Sequence, residues 1–374
     1  MAPSSSSSTV DYSAARKGFL DAGYSWPEPK QNRLLRAARG EEVDEIPVWI
    51  MRQAGRYLPE FKALRAEHDF VKVCQDPDLA SEVTIQPYRR FSKLDACIVF
   101  SDILTIPMVM GQHLEMVPGT GPVLSPKLET PADIDKFLNL APDVTEGLGY
   151  VYDAIFATVS KLQNELTVIG FCGAPWSLFC YMVEGGGSKT WSKARAWLYT
   201  YPEDAKRVMA AITDICIEYL VNQYDAGAKI LQVFDTNGGE ITPDCYLEFC
   251  LENFKRIPVE VKRQRPDALL IGFPKDVQDL TLFEDSAYDA ISVTWRKRAE
   301  EARRELPGKV LQGNLDPAML YSPAAVVKEA VEANVNAFGG GRSKYIANLG
   351  HGMMPDMTPE MAGNFIDVIK SVKL

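Results

Sequence analysis

Nowhere do apolar residues run on for the about 18 positions that a membrane-spanning helix needs, so no span is expected. Positive charge is also in short supply. The 374 residues carry 40 Lys and Arg against 50 Asp and Glu, a formal net charge of -10. No global basic field draws the chain to nucleic acid or to a membrane surface. An anionic ligand would need local cations working against the overall charge. Histidine is scarce: His68, His113 and His351 are the three, and none lies within two residues of a cysteine. A local zinc motif is therefore absent, which leaves only a metal site gathered from distant ligands. The seven cysteines are odd in number and include no CxxC. That usage fits reduced, buried thiols in a reducing compartment. The start, MAPSSSSSTV, lacks the apolar core of a secretory signal and reads as a short disordered tail. A shortened organelle transit segment is the alternative.

What is present is ordinary globular composition, 46% hydrophobic and 24% charged. The length suits one large α/β barrel or two average domains. Eight short apolar runs recur, at 47–51, 96–100, 167–172, 229–234, 268–273, 290–295, 310–313 and 345–349. Runs without polar alternation suit strands buried on both faces, as in a parallel sheet. Amphipathic segments separate them. The clearest spans 202–226, with Pro202 and Glu203 in its first turn and Gly227 to end it. A second begins with Ser322 as candidate cap and Pro323 as first helical residue. Eight strand–helix units predict a single (β/α)8 barrel over 29–374, after a tail at 1–28. A doubly wound open sheet is the alternative, but no GxGxxG follows Met51. The longest connection joins strands two and three. Its Pro- and Gly-rich stretch, PGTGPVLSPKLETP, is expected to be a loop inserted over the barrel mouth.

In such a barrel the reactive residues stand just past the strand C-termini. The first run leads into Arg52, Gln53 and Arg56. The second leads into Ser101 and Asp102, the third into GAPWSLFCYMVEGGGS with Tyr181, the fourth into Asp235 and Thr236, and the eighth into GHG with His351. Two arginines four residues apart suit a carboxylate or phosphate clamp, because guanidinium forks match planar oxyanions. Either could instead pair with a neighbouring carboxylate. Asp102 could equally cap a helix, and His351 could be structural. EGGGS lacks the GxxxxGK pattern of a phosphate loop and reads by default as a flexible lid or tight turn. The set suits a polyanionic organic substrate and acid–base or charge-stabilised chemistry without a cofactor.

MRQAGRYLPEF and GFCGAPWSLFCYMVEGGGS resemble the two long signatures of the uroporphyrinogen decarboxylases. FSDIL, MVPGTGP, LQGNLDP and YIANLGHGMMPDM match further family segments in the same order. The resemblance implies a cofactor-free and metal-free (β/α)8 enzyme, usually a homodimer. It would remove the four acetate carboxyls of uroporphyrinogen III to give coproporphyrinogen III, in haem and tetrapyrrole synthesis. It implies that Asp102 accepts the pyrrole N–H groups and that Arg52 and Arg56 face substrate carboxylates. Arg52 is also implied as a proton donor or its organiser. Gln53, Ala54, Arg65, Tyr181, Thr236 and His351 are implied substrate contacts. Thr236 stands where some relatives have serine, and Thr294 where relatives often carry aspartate. The expected compartment is the cytosol, with a plastid or other organelle as the alternative.

Overall fold

The structure is a computed structural model and describes residues 10–117 and 119–374. The Ser-rich start lies outside the described residues. Nine strands form: β1 Ala96–Ile98, β2 His113–Val117, β3 Gly121–Ser125, β4 Thr167–Gly173, β5 Ile230–Asp235, β6 Leu269–Pro274, β7 Ala290–Ser292, β8 Val310–Gln312 and β9 Tyr345–Ile346. Seven of them make one parallel sheet in the order β1-β4-β5-β6-β7-β8-β9.

Both faces of this sheet are buried, which is why its strands read as unbroken apolar runs. Along each strand the residues alternate between two cores. Ile230, Leu269, Ile271, Phe273, Ala290 and Ile346 belong to an inner cluster. Their neighbours Leu231, Leu270, Ile291, Leu311 and Tyr345 pack outward with the helices. The sheet is strongly curled. Gln312 of β8 donates through Nε2 to Gln232 Oε1 of β5 at 3.1 Å and to Ser292 Oγ of β7 at 3.1 Å. A flat sheet would hold strands three positions apart near 14 Å, at about 4.8 Å per step.

The first apolar run departs from expectation. Residues 47–51 form no regular strand; their one sheet partner is a parallel bridge from Val48 to Ala347. Their alternation is still that of a strand, with Trp49 and Met51 in the inner core and Val48 and Ile50 in the outer. Side chains replace the ladder. Val48 N–H donates to Asp95 Oδ2 (2.8 Å) and Met51 N–H to Asn348 Oδ1 (3.0 Å). Asp95 N–H in turn donates to Val48 O at 2.9 Å. The segment thus bonds to chain beside both outer strands, β9 and β1. Asp95 is 1% exposed. Its carboxylate also takes Arg33 Nη1 and Lys370 Nζ, each at 2.7 Å.

Two further expectations are corrected. The stretch read as a Pro- and Gly-rich loop supplies the second strand of an antiparallel hairpin, β2–β3, whose first strand directly precedes it. Gly119 and Gly121, at φ 78° and 94°, supply the left-handed backbone that its turn needs. Ser322 does not cap its helix. Pro323, at ψ 147°, is the boundary residue and the helix runs Ala324–Ala337. The helix Pro202–Ala226 has the expected ends, with Gly227 at φ 124°. The segment expected as a tail carries, in its described part, the helix Tyr12–Asp21. A buried pair, Arg16 Nε to Asp153 Oδ1 at 2.7 Å, docks it on the helix Gly149–Lys161. All seven cysteines are free and buried. No described helix is long and apolar enough to cross a membrane.

Candidate active site

A cavity of about 540 Å³ opens at the C-terminal ends of the strands. Its floor is the top of the inner core, including Trp49, Phe234 and Phe273. Seven of the residues singled out from sequence line it: Arg52, Ala54, Ser101, Asp102, Tyr181, Thr236 and His351. They come from turns far apart in the chain, gathered because each follows a sheet element.

Arg52 has φ 61°, a left-handed conformation that costs a non-glycine residue about 1 kcal/mol or more. The strain is held by the turn around it. Gln53 N–H donates to Ile50 O at 2.9 Å, and Tyr57 Oη donates to Gln53 O at 2.6 Å. Gly352 makes room for the Arg52 stem. A Cβ at Gly352 would lie 2.4 Å from Arg52 Cδ and 2.6 Å from Cγ. Gly350, the other glycine of GHG, has its missing Cβ 2.2 Å from Trp295 N. Both glycines are therefore required by close approach rather than by a tight turn. Arg52 has accessible surface, but that surface faces a cavity crowded by protein. Burial, and then Arg56, lower its pKa, while Tyr181 opposes them.

Asp102 lines the cavity and is not the helix cap: the boundary residue of Thr105–Val109 is Leu104, and the Asp102 side chain closes the turn before it. Its Oδ1 accepts from Leu104 N–H at 2.8 Å. Burial raises its pKa and the Leu104 N–H only partly offsets this. Tyr181 is likewise raised, by burial and then by Asp102, and packs edge-on against Trp191 at 5.0 Å.

His351 Nδ1 accepts from Gly352 N–H at 2.8 Å, so the proton of the neutral ring sits on Nε2. Burial, with Arg52 and Lys275 adding like charge, lowers its pKa to about 4. The sign follows. Between about 4 and the ordinary 6.5 the unfolded chain binds this proton and the folded one does not. His351 therefore makes stability fall as pH drops through that window. His351→Gln is expected to flatten the loss of stability between pH 7 and pH 5, read as urea midpoints of both proteins. An unchanged pH dependence would count against a neutral, buried His351.

Three expected contacts lie elsewhere. The Gln53 side chain holds the turn to β1, donating from Nε2 to Ala96 O at 3.2 Å and accepting Ile50 N–H at 3.3 Å. Arg65, on the helix Pro59–Glu67, donates to the carbonyl of His68 and lies 5.7 Å over the Phe70 ring. Arg56 is exposed and does not line the cavity. Sequence reading also missed residues that do line it: Lys275, Trp191, Asn237 and Glu240. Lys275 directly follows β6, so the rule that found Asp102 finds it too. Trp191 has no such signal. It follows the EGGG turn, which bonds to the hairpin through Leu124 N–H and Gly185 O at 3.0 Å.

The arrangement is a carboxylate with raised pKa, a phenol within its electrostatic reach, a guanidinium that the same phenol feels, a neutral imidazole and an apolar floor. It suits an organic molecule with anionic substituents. Known proteins agree. The sequence matches the family described as "Uroporphyrinogen decarboxylase (URO-D)" over residues 29–372. It is 46% identical to a uroporphyrinogen decarboxylase of Salinibacter ruber, over 92% of this chain and 97% of that one. It is 44% identical to that of Danio rerio and 42% identical to that of Homo sapiens, over 92% of this chain and 94% and 95% of theirs. Among solved structures, a methyltransferase from Methanosarcina mazei superposes with a TM-score of 0.74 at 17% identity, over 92% of this chain and 98% of that one, a likeness of fold alone. The chain belongs to the uroporphyrinogen decarboxylase family.

Proposed function

We propose that the chain decarboxylates the four acetate side chains of uroporphyrinogen III, giving coproporphyrinogen III and four CO2. The observation that carries this reading is Asp102. It is a carboxylate of raised pKa beside an apolar floor, within the electrostatic reach of Tyr181, in a chain matched over 29–372 to this family.

The chemistry needs an electron sink, and a pyrrole ring can supply it. Protonation of a ring carbon makes a cation. The C–COO⁻ bond then breaks, its electron pair neutralises the ring, and CO2 leaves. A second proton on the resulting methylene gives the methyl group, and loss of the first proton from the ring carbon restores the pyrrole, so each acetate consumes one proton net. Asp102 would accept the converging pyrrole N–H groups and stabilise the ring cation as it forms. In an apolar cavity the carboxylate is poorly solvated, so its attraction for that cation is strong. Arg52 would bind the acetate that reacts. A guanidinium remains a poor proton donor even when its pKa is lowered, so Arg52 holds the carboxylate while solvent or another acid supplies the proton. Arg56 would meet carboxylates at the mouth. His351 Nε2–H, Tyr181 and Thr236 would donate to the remaining side chains.

Residues 29–374 would act as one catalytic domain. Residues 47–51 would serve as the eighth stave of a closed barrel, and the β2–β3 hairpin as an insertion over its mouth. The family reading extends to a homodimer in the cytosol. Sedimentation would test the dimer as about twice the 41.6 kDa chain mass.

The direct test is anaerobic incubation with uroporphyrinogen III, then chromatography of the oxidised products. Porphyrins with seven to four carboxyls support the reading, and unchanged octacarboxyl porphyrin from folded protein defeats it. Gly352→Ala provides a finer test, since the added methyl must displace the Arg52 stem. It is expected to lower kcat/KM about 100-fold, the scale of an ångström-sized misplacement. Circular dichroism should remain native. Activity within a few-fold of wild type would mean that Arg52 need not sit where it does.

A further inference from the structure

Lys275 lines the cavity and has no role in the chemistry above. Its side chain is 11% exposed, and its Nζ lies 2.7 Å from Asp276 Oδ2. The root of the side chain is fixed. Lys275 N–H donates to Asp235 O at 3.1 Å, and Gly239 N–H donates to Lys275 O at 3.0 Å. Only the ammonium end is free to swing.

The carboxylate it pairs with has more partners than it needs. Thr294 Oγ1 donates to Asp276 Oδ1 at 2.8 Å, and Arg296 Nη1 reaches Oδ2 at 3.2 Å. The Asp276 carboxylate is 8% exposed, so stripping it of every cation would leave a buried unpaired charge at high cost. With Arg296 and Thr294 still in place, the departure of Lys275 leaves both oxygens hydrogen-bonded. Two cations share this one carboxylate, so Asp276 remains paired when one of them leaves. Both cations lie over the Trp295 ring, Lys275 at 5.9 Å and Arg296 at 5.1 Å.

Position in the sheet adds a second argument. From residues 47–51, β6 is four steps away through β9, β8 and β7. It is also four steps away through β1, β4 and β5. Lys275 and Arg52 therefore stand on opposing walls of one cavity. A macrocycle with carboxylates on every side needs a cation at both.

We propose that Lys275 exchanges Asp276 for a substrate carboxylate on the wall facing Arg52, while Arg296 stays behind to neutralise Asp276. The exchange rests on the function read above. It makes Lys275 a substrate-binding residue and Arg296 a positioning residue that acts through Asp276.

The test is anaerobic kinetics on uroporphyrinogen III with wild type, Lys275→Met, Lys275→Arg and Arg296→Met. Lys275→Met is expected to raise KM about ten-fold or more, the scale of one charge-assisted contact. Its kcat should stay within about three-fold, as for loss of uniform binding. Lys275→Arg should recover most of the KM. Arg296→Met, at a side chain 63% exposed, should fold normally. It should raise KM with kcat kept, because Lys275 then remains bound to Asp276. A KM within two-fold of wild type in folded Lys275→Met overturns the exchange. If that variant does not fold, Arg296→Met decides: a raised KM supports the exchange and an unchanged KM overturns it. Absence of turnover in the wild type would instead defeat the reading of function.

Discussion

Asp102→Asn is expected to lower kcat/KM about 1,000-fold or more, the scale on which preorganised charge stabilisation is lost. Asparagine keeps the oxygen that accepts the Leu104 N–H, so the turn after β1 retains its geometry. It replaces the charged oxygen with an amide or a neutral carbonyl, and neither offsets a pyrrole cation. Stability should move the opposite way. Burial raises the pKa of Asp102, so the folded state resists its ionised form. Stability is lost as pH rises from the unfolded value of 3.8 through the folded one. The variant should therefore be at least as stable as wild type at pH 7, with no advantage below the unfolded value. Anaerobic kinetics and urea unfolding at two pH values measure both effects. Activity within ten-fold of wild type would remove Asp102 from the mechanism. A large loss of stability would mean that its main task is to hold the turn after β1.

Arg52→Ala and Arg52→Gly are expected to lose activity alike, about 100-fold or more, because both remove the fork that holds the reacting carboxylate. Their stabilities should differ. At φ 61° alanine retains the left-handed penalty, and glycine does not. Arg52→Gly should be more stable than Arg52→Ala by about 1 kcal/mol, seen as a higher urea midpoint. Equal midpoints would show that the backbone at Arg52 relaxes freely. Unequal activities would show that backbone placement, beyond the guanidinium, contributes to turnover.

The parallel sheet was legible because burial on both faces leaves its mark in each run separately. Residues 167–172 and 268–273 each read as strand without knowledge of a partner. The run at 47–51 shows where that reading stops. It read as a buried strand like the others, but its partners are Asp95 and Asn348, residues far off in sequence. The hairpin was missed because Pro and Gly dominate PGTGP, and its pairing depends on backbone φ at Gly119 and Gly121. Most of the site could be read because strand ends converge. Gln53 could not be placed, since an amide beside two arginines looks the same whether it faces a ligand or, as here, the Ala96 carbonyl. Lys275 was legible by the same rule as Asp102, two residues beyond the run at 268–273.

Asp95 has a consequence for the order of assembly. Where residues 47–51 meet the outer strand β1, one carboxylate gathers Val48 N–H, Arg33 from the first part of the chain and Lys370 from the helix Pro359–Ser371. Every strand of the parallel sheet has been synthesised before Lys370 is. The nascent chain must therefore hold a long-range, unfinished seam while the ribosome works through the last helix, a state with exposed strand edges and high contact order. Folding of this protein is completed only after that helix has been made.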